Sequence, residues 1–560
     1  MTTTIPAPSP VDRPSVEHAP VDRPARGATP PALRMLAIAL LLAGAAHAVW
    51  YHMTVRIVPF DDAYIAYRYV DNALAGRGLV YNEGERVMGC TAPLHLAWLA
   101  GIKTIVPGVD LPTLAVRLNF VPFLATALAL FLVVRRFTGN LFWPTLLTLC
   151  LLFHQHMLRV SSGGMEPFFF TTLLLFTFLA LLNKRPIVTG LLIGLSMLLR
   201  PEGVILVPLA GLAFFGQWRK LAVCALACAI PVGAWVVFAW SYFGTPVPHS
   251  VVAKSRPIYP LEKFAALKGV VRQTGEWLSG RRPIALAIGD EAARSIVPGK
   301  SVATVVLAAG VLLVALATLL PRVRKTGGYL PGLAFLFLAA MYAKGNPLLF
   351  EWYLPFFFVT ALLAVTIPMI GLCATLHDKL AAGRGTPGRQ FGLALPFRAA
   401  AVVWVALIAF SGVAKEEPGF FTAYTVASQP DRARVFAYRE AAELINPHRI
   451  SGDRVTGPEI GALGYYIHGH LLDGCALVSP EALPYHPVPA DQRRGPDWGV
   501  LPGDLVQDLK PRWVVVMPVF GDISCTDRPS FKANYERWKA VKLAVKCWEN
   551  TEVEIYKRRE

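Results

Sequence analysis

The sequence predicts a mostly α fold: a polytopic bundle of about eleven membrane helices carrying a small C-terminal α/β domain. Three observations lead there. Hydrophobic residues make up 54% of the 560-residue chain and charged residues only 16%, against roughly 25% charged in an ordinary soluble domain, and the mean hydropathy is +0.46. Apolar runs of roughly 15–25 residues recur along most of the chain, near the length that crosses about 30 Å of hydrocarbon. From residue 416 onward they stop, and amphipathic and alternating patterns take over.

Residues 1–32 are rich in Pro, Ala and Arg and lack apolar periodicity, which predicts a disordered cytoplasmic tail. The tail is too long and too Pro-rich for the leading region of a signal peptide, and no small-residue cleavage site follows. The run 33–50 is therefore expected to remain as the first membrane helix of a catalytic unit spanning 33–415. Residues 52–112 read as a long outer loop, polar and aromatic, with helices lying on the membrane. Its short apolar run 93–106 is expected to be a surface or re-entrant helix. Further spans are expected at 113–134, 141–158, 166–183, 187–199, 203–216, 220–241, 301–320, 328–344, 350–375 and 398–415. The two flanking Arg200 are short and meet at Pro201, as a broken pair that bends at the outer surface. Residues 416–560 are long enough for one small α/β domain. There RARVFAYREAAELI reads as an amphipathic helix, and RWVVVMPVF and EVEIY read as strands.

Charge fixes the orientation. The net charge is +17, yet residues 416–560 hold 18 Lys/Arg and 20 Asp/Glu, a balance of −2. The excess therefore sits in short loops between apolar runs, which argues against nucleic acid as a partner. With a cytoplasmic N-terminus, Arg135–Arg136, Lys184–Arg185, Arg219–Lys220, the cluster Arg322 to Lys325 and the cluster Lys379 to Arg398 all fall inside, as the positive-inside rule requires. Counting 93–106 as a full span would reverse the later clusters. Eleven spans place the C-terminal domain outside. Of eight cysteines, Cys224 and Cys228 lie in an apolar helix. Cys525 and Cys547, on the outer side, are either a disulfide or two buried thiols.

The same topology puts the polar motifs on one face: Asp61–Asp62, SSGGMEP at 161–167, RPEG at 200–203, YFGTPVPHSVVAKSR at 242–256 and GNPLLFEWYLP at 345–355. One of the paired aspartates can act as a general base, its pKa raised by burial or by its neighbour; the alternative is a helix cap. Arg200 can hold a phosphate through paired N–H donors, with Glu202 orienting a hydroxyl, or the two can form an ion pair at the helix break. His249, Lys254 and Arg256 form a basic group able to grip a lipid phosphate, or they snorkel to headgroups. Trp352 and Tyr353 suit an interfacial belt, and Glu351 adjoins an apolar run. No His/Asp/Glu set has a spacing that demands a metal, and there is no nucleophile elbow, P-loop or dinucleotide fingerprint.

The motif order carries a resemblance. DDAYIAYRYVDNALAGRGLVYNEGERVMGCTAPLH resembles the first outer loop of membrane-embedded GT-C glycosyltransferases, with arabinofuranosyltransferase-like proteins nearest in pattern. SGGMEP, LLRPEG, YFGTPVPHSVVAK, WYLP and PEIGALGYYIHGHLLDGCALVSPE follow in the same order, covering about residues 60 to 485. Two places depart from the pattern: MGC at 88–90, and VPHS in a donor-side loop, which bears on donor identity.

The resemblance implies a GT-C bundle in a bacterial inner membrane, transferring a sugar, on this pattern arabinofuranose, from a polyprenyl-phosphate donor to a glycan, lipid or protein acceptor, with inversion. It implies Asp61 as base with Asp62 as assistant or alternative. Arg200, Lys254 and Arg256 are the implied donor-phosphate ligands, and Glu202, Glu166, His249, Tyr67, Arg68 and Tyr353 the substrate-binding residues. No cofactor is required; a divalent cation, if one takes part, has Asp61 and Asp62 as ligands. A lipid-linked sugar transporter would instead need polar groups deep in the bundle and repeat symmetry, and neither is evident. In a non-catalytic glycan-binding protein the paired acids would be dispensable.

Overall fold

The computed structural model describes residues 30–54, 58–256, 258–279, 321–382, 390–410, 430–495 and 499–560. Residues 1–29, the expected span 301–320 and the stretch 411–429 lie outside the described residues. The chain is mostly helical. The first half holds α1 (Pro31–Thr54), α2 (Asp61–Leu74), α3 (Pro93–Ile105), α4 (Leu111–Leu118), α5 (Phe120–Phe137), α6 (Phe142–Phe153), α7 (Gln155–Ser161), α8 (Pro167–Leu182), α9 (Pro186–Leu199), α10 (Leu206–Ala213), α11 (Trp218–Phe243), α12 (His249–Ser255) and α13 (Ala265–Ser279). Then come α14 (Pro321–Thr326), α15 (Leu330–Gly345), α16 (Leu354–Ala382), α17 (Gln390–Phe410) and α18 (Pro430–Ile445).

Local sequence explains many of the ends. Pro93, Pro167 and Pro186 open α3, α8 and α9, where a missing N–H costs nothing. Asp110 caps α4 by accepting the Thr113 amide at 3.0 Å. Gly244 closes α11 in the left-handed region, at φ 75°.

Of the eleven expected spans, 301–320 lies outside the described residues. Among the described residues, four helical stretches are long and apolar enough to cross a membrane: Pro31–Thr54, Leu111–Phe137, Trp218–Phe243 and Glu351–Thr375. The other apolar helices are shorter. At about 1.5 Å per residue, the 14-residue α9 rises only about 21 Å, short of a bilayer core of about 30 Å. The expected span 141–158 breaks at His154, whose extended ψ of 106° separates α6 from α7. The run 93–106 is the helix α3, as expected. Most of α1 and α11 is exposed and apolar, with Leu226, Ile230 and Val237 among the residues a lipid tail would cover.

Two cores form. One runs through α1, α5–α10 and α13–α17. The second joins α2, α3 and α4 to the C-terminal region, which contains β1 (Val455–Gly457), α19 (Ala462–Tyr466), β2 (Leu471–Asp473), α20 (Gly503–Leu509), β3 (Trp513–Val516), α21 (Pro529–Asn534), β4 (Tyr535–Cys547) and β5 (Asn550–Arg558). The five strands form one sheet in the order β2-β1-β3-β5-β4. β1 runs parallel to β2 and β3, and β5 runs antiparallel to β3 and β4. The amphipathic helix and the two strands expected from the sequence are α18, β3 and β5. Cys525 is a buried free thiol, so the second of the two cysteine readings is the one found.

Candidate active site

α2 begins at the paired aspartates, and neighbouring residues on a helix diverge by about 100°. The two carboxylates therefore face different surroundings. Asp61 is buried, and both its oxygens are taken: Oδ2 accepts the Gly461 amide at 3.0 Å and Oδ1 the Ala462 amide at 2.9 Å. It caps α19, a helix four hundred positions away in the chain, rather than offering a lone pair to a substrate. Asp62 is half-buried and makes no hydrogen bond to a described residue. Burial pushes its carboxyl above the ordinary carboxylate range; Lys254 opposes this, while Asp61 and Glu166 add to it.

Lys254, near the end of α12, supplies the matching charge. It is exposed and makes no ion pair with a described residue. Tyr353 and then Asp62 hold its ammonium above the ordinary lysine value. Asp62 and Lys254 thus sit within range of each other's charge, together with Tyr259, which feels both Asp62 and Tyr353.

Arg200 is buried, and its guanidinium lies between two carboxylates. Nη1 donates to Glu166 Oε1 at 2.6 Å, and Nη2 and Nε donate to Glu202 at 3.1 and 3.3 Å. The guanidinium also lies 4.9 Å from the Tyr353 ring and 5.4 Å from Phe356. Each of its three nitrogens already serves a carboxylate. Glu202 accepts a further bond from the Tyr342 hydroxyl at 2.6 Å. One cation between two carboxylates leaves this buried set with one net negative charge, an ion-pair network at the helix break. Glu351, at the rim, pairs with Arg159 at 2.6 Å.

Several expected substrate ligands are ties between segments. Arg68 is buried and donates to the carbonyls of Tyr81 at 2.6 Å, Gly469 at 2.6 Å and Gly464, with Tyr81 stacked beneath it at 4.5 Å. Tyr67 is fully buried and donates to the Gly164 carbonyl at 3.1 Å. Both tie the first loop to neighbouring segments. His249 opens α12, its backbone amide bonded to the Met88 carbonyl at 2.7 Å, with the ring half-buried against the C-terminal region. Arg256 is exposed at the rim and donates to the Leu483 carbonyl at 3.4 Å. Both Asp61 oxygens already accept backbone amides, so a cation held by Asp61 and Asp62 would share them with those two bonds.

The C-terminal region brings two further buried carboxyls into range of Asp61 and Asp62, neither singled out by the sequence. Glu459, in PEIG, accepts from Arg434 at 2.7 Å; burial pushes its carboxyl up to about 7, with Arg434 opposing and Asp61 adding. Asp473 accepts amides from Cys475 at 2.8 Å and Val478 at 3.0 Å, and burial pushes it up to about 6. The only sequence signal for either was membership of the sixth motif.

A scan against protein-family models and a search of curated proteins find no match. Among solved structures, the chain is similar to ArnT from Cupriavidus metallidurans bound to undecaprenyl phosphate, at 13% identity and a TM-score of 0.49, covering 94% of this chain and 98% of that one. It is also similar to the archaeal oligosaccharyltransferase AglB from Archaeoglobus fulgidus in complex with an inhibitory peptide and a dolichol-phosphate, at 13% identity and a TM-score of 0.46, covering 87% of this chain and 70% of that one.

Proposed function

We propose that the chain is a GT-C-type glycosyltransferase that moves a sugar from a polyprenyl-phosphate donor to an acceptor hydroxyl at the outer membrane boundary. The observation that carries this is that Asp62, a carboxylate with no hydrogen-bond partner among the described residues, and Lys254, an ammonium with no ion pair among them, lie within range of each other's charge. Asp62, and not Asp61, is the base. It takes the acceptor proton as the hydroxyl oxygen bonds to the anomeric carbon. The bond from that carbon to the phosphate oxygen breaks, and its electron pair stays on the lipid phosphate. Lys254 lies where it can meet that developing charge, with Arg256 as a second cation at the rim. A raised carboxyl pKa makes Asp62 the stronger base. Base and cation on opposite sides of the sugar give inversion.

The motif resemblance favours arabinofuranose as the sugar and a cell-envelope glycan, lipid or protein as the acceptor. It also favours a bacterial plasma membrane with the N-terminus inside and the C-terminal region outside. The test uses the full chain in proteoliposomes with a polyprenyl-phosphate sugar and an acceptor. Asp62→Asn is expected to lower kcat by about 10²-fold or more while still binding donor, and Lys254→Ala to raise KM for the donor. Full transfer by Asp62→Asn would overturn the base assignment, and donor translocation without product would point to transport.

A further inference from the structure

Away from the cleft, three side chains from distant parts of the sequence converge. Glu85 lies in the first loop, His470 directly precedes β2, and Glu481 lies in the turn Pro480–Tyr485 that follows it. One ligand atom of each lies within 4.8 Å of the other two. His470 Nε2 and Glu85 Oε1 are 2.8 Å apart. Asn82 donates to the other Glu85 oxygen at 3.0 Å and to the Leu471 carbonyl at 2.9 Å. That fixes the carboxylate as outer-shell partners of metal ligands do. The His470 and Glu85 side chains are 22% and 34% exposed, so the group is held by its surroundings and still reachable from solvent.

We propose that Glu85, His470 and Glu481 bind one divalent transition-metal cation, Zn²⁺ or Mn²⁺, which clamps the first outer loop to the C-terminal region. A separation of 2.8 Å serves a hydrogen bond, and it equally serves as one edge of a coordination shell with ligands about 2.0–2.2 Å from the ion. The third group decides between them. A single His–Glu hydrogen bond leaves Glu481 as a second carboxylate crowding the first, whereas a dication compensates both. One imidazole with two carboxylates suits zinc or manganese, while calcium and magnesium take oxygen ligands. Three protein ligands leave a coordination position for water. The site borders the cleft through α12: Glu481 acts on the charge of His249, at the start of the helix that carries Lys254. It shares no residue with Asp61–Asp62 and stands independently of the transferase reading.

The test uses the full chain in nanodiscs, stripped with EDTA and re-equilibrated separately with Zn²⁺, Mn²⁺, Ca²⁺ or Mg²⁺. Bound metal is counted by mass spectrometry and unfolding is followed by heat. One equivalent of Zn²⁺ or Mn²⁺ is expected, with a rise in melting temperature. Glu481→Gln, which leaves the Glu85–His470 bond intact, is expected to weaken binding by roughly tenfold or more, and Asp62→Asn to leave it unchanged. Equal metal retention by wild type and Glu481→Gln, or binding of Ca²⁺ or Mg²⁺ as tightly as Zn²⁺, would overturn the proposal.

Discussion

Glu459 shows what burial does to a single group in this chain. Its carboxyl is pushed from an ordinary 4.5 up to about 7, so the folded state keeps its proton longer than the unfolded state does. Between pH about 4.5 and 7 the native chain binds more protons, and stability falls as pH rises through that window, then levels off. Melting temperature is therefore expected to decline from pH 5 to 7.5. Glu459→Gln should flatten that decline, leaving a residue from Asp473, which titrates at about 6. Equal slopes in the two proteins would show that Glu459 does not set the trend. At this scale the sequence was half legible. It pointed to the Asp61–Asp62 dipeptide and to Lys254. It could not say which aspartate was spent, because the amides that occupy Asp61 belong to Gly461 and Ala462. For Arg200 and Glu202 the sequence could not show that Glu166, at a third helix end, joins them in one ion-pair network.

The contact between α2 and the segment around α19 depends on two glycines. A Cβ on Gly461 would lie 1.9 Å from the Asp61 carbonyl oxygen, and one on Gly464 would lie 1.7 Å from the Tyr81 hydroxyl. Neither position can take a side chain unless the elements separate. Gly461→Ala is therefore expected to raise hydrogen exchange in α2 and α19 while leaving α8 protected. Asp61→Ala should act in the same direction, since it strands two buried amides at about 1–3 kcal/mol each. Unchanged exchange in α2 would mean that this contact does not hold the loop. The elements that the sequence announced were those with a clear period: α18 by its apolar stripe, and β3 and β5 by their apolar or alternating runs. β1 and β2 are three residues each, too short to show a period. β4 presents mostly exposed, charged positions as the sheet's edge strand, so it carries little apolar signal.

Seen whole, the molecule has its cores divided differently from its sequence. Composition changes near residue 416, which suggests a self-contained domain from there onward. Yet the second core draws Tyr64, Tyr67 and Tyr81 from the first loop into contact with Ile460, Leu463 and Leu471 from the C-terminal region. Arg68, Tyr81 and Asp61 then tie the two together through buried hydrogen bonds. Removing the loop would uncover apolar surface and leave the amides of Gly461 and Ala462 unpaired. A fragment covering 430–560 expressed alone is therefore expected to bind a hydrophobic dye and to melt without a sharp transition, even though it carries the entire sheet. A monomeric fragment with a cooperative melt would show that the C-terminal region folds by itself and that the shared core is a docking interface. The expected outcome ties folding to function. The loop that carries Asp62 reaches its position only when the C-terminal region packs on it, so the proposed base and the cleft around it are assembled in the same step.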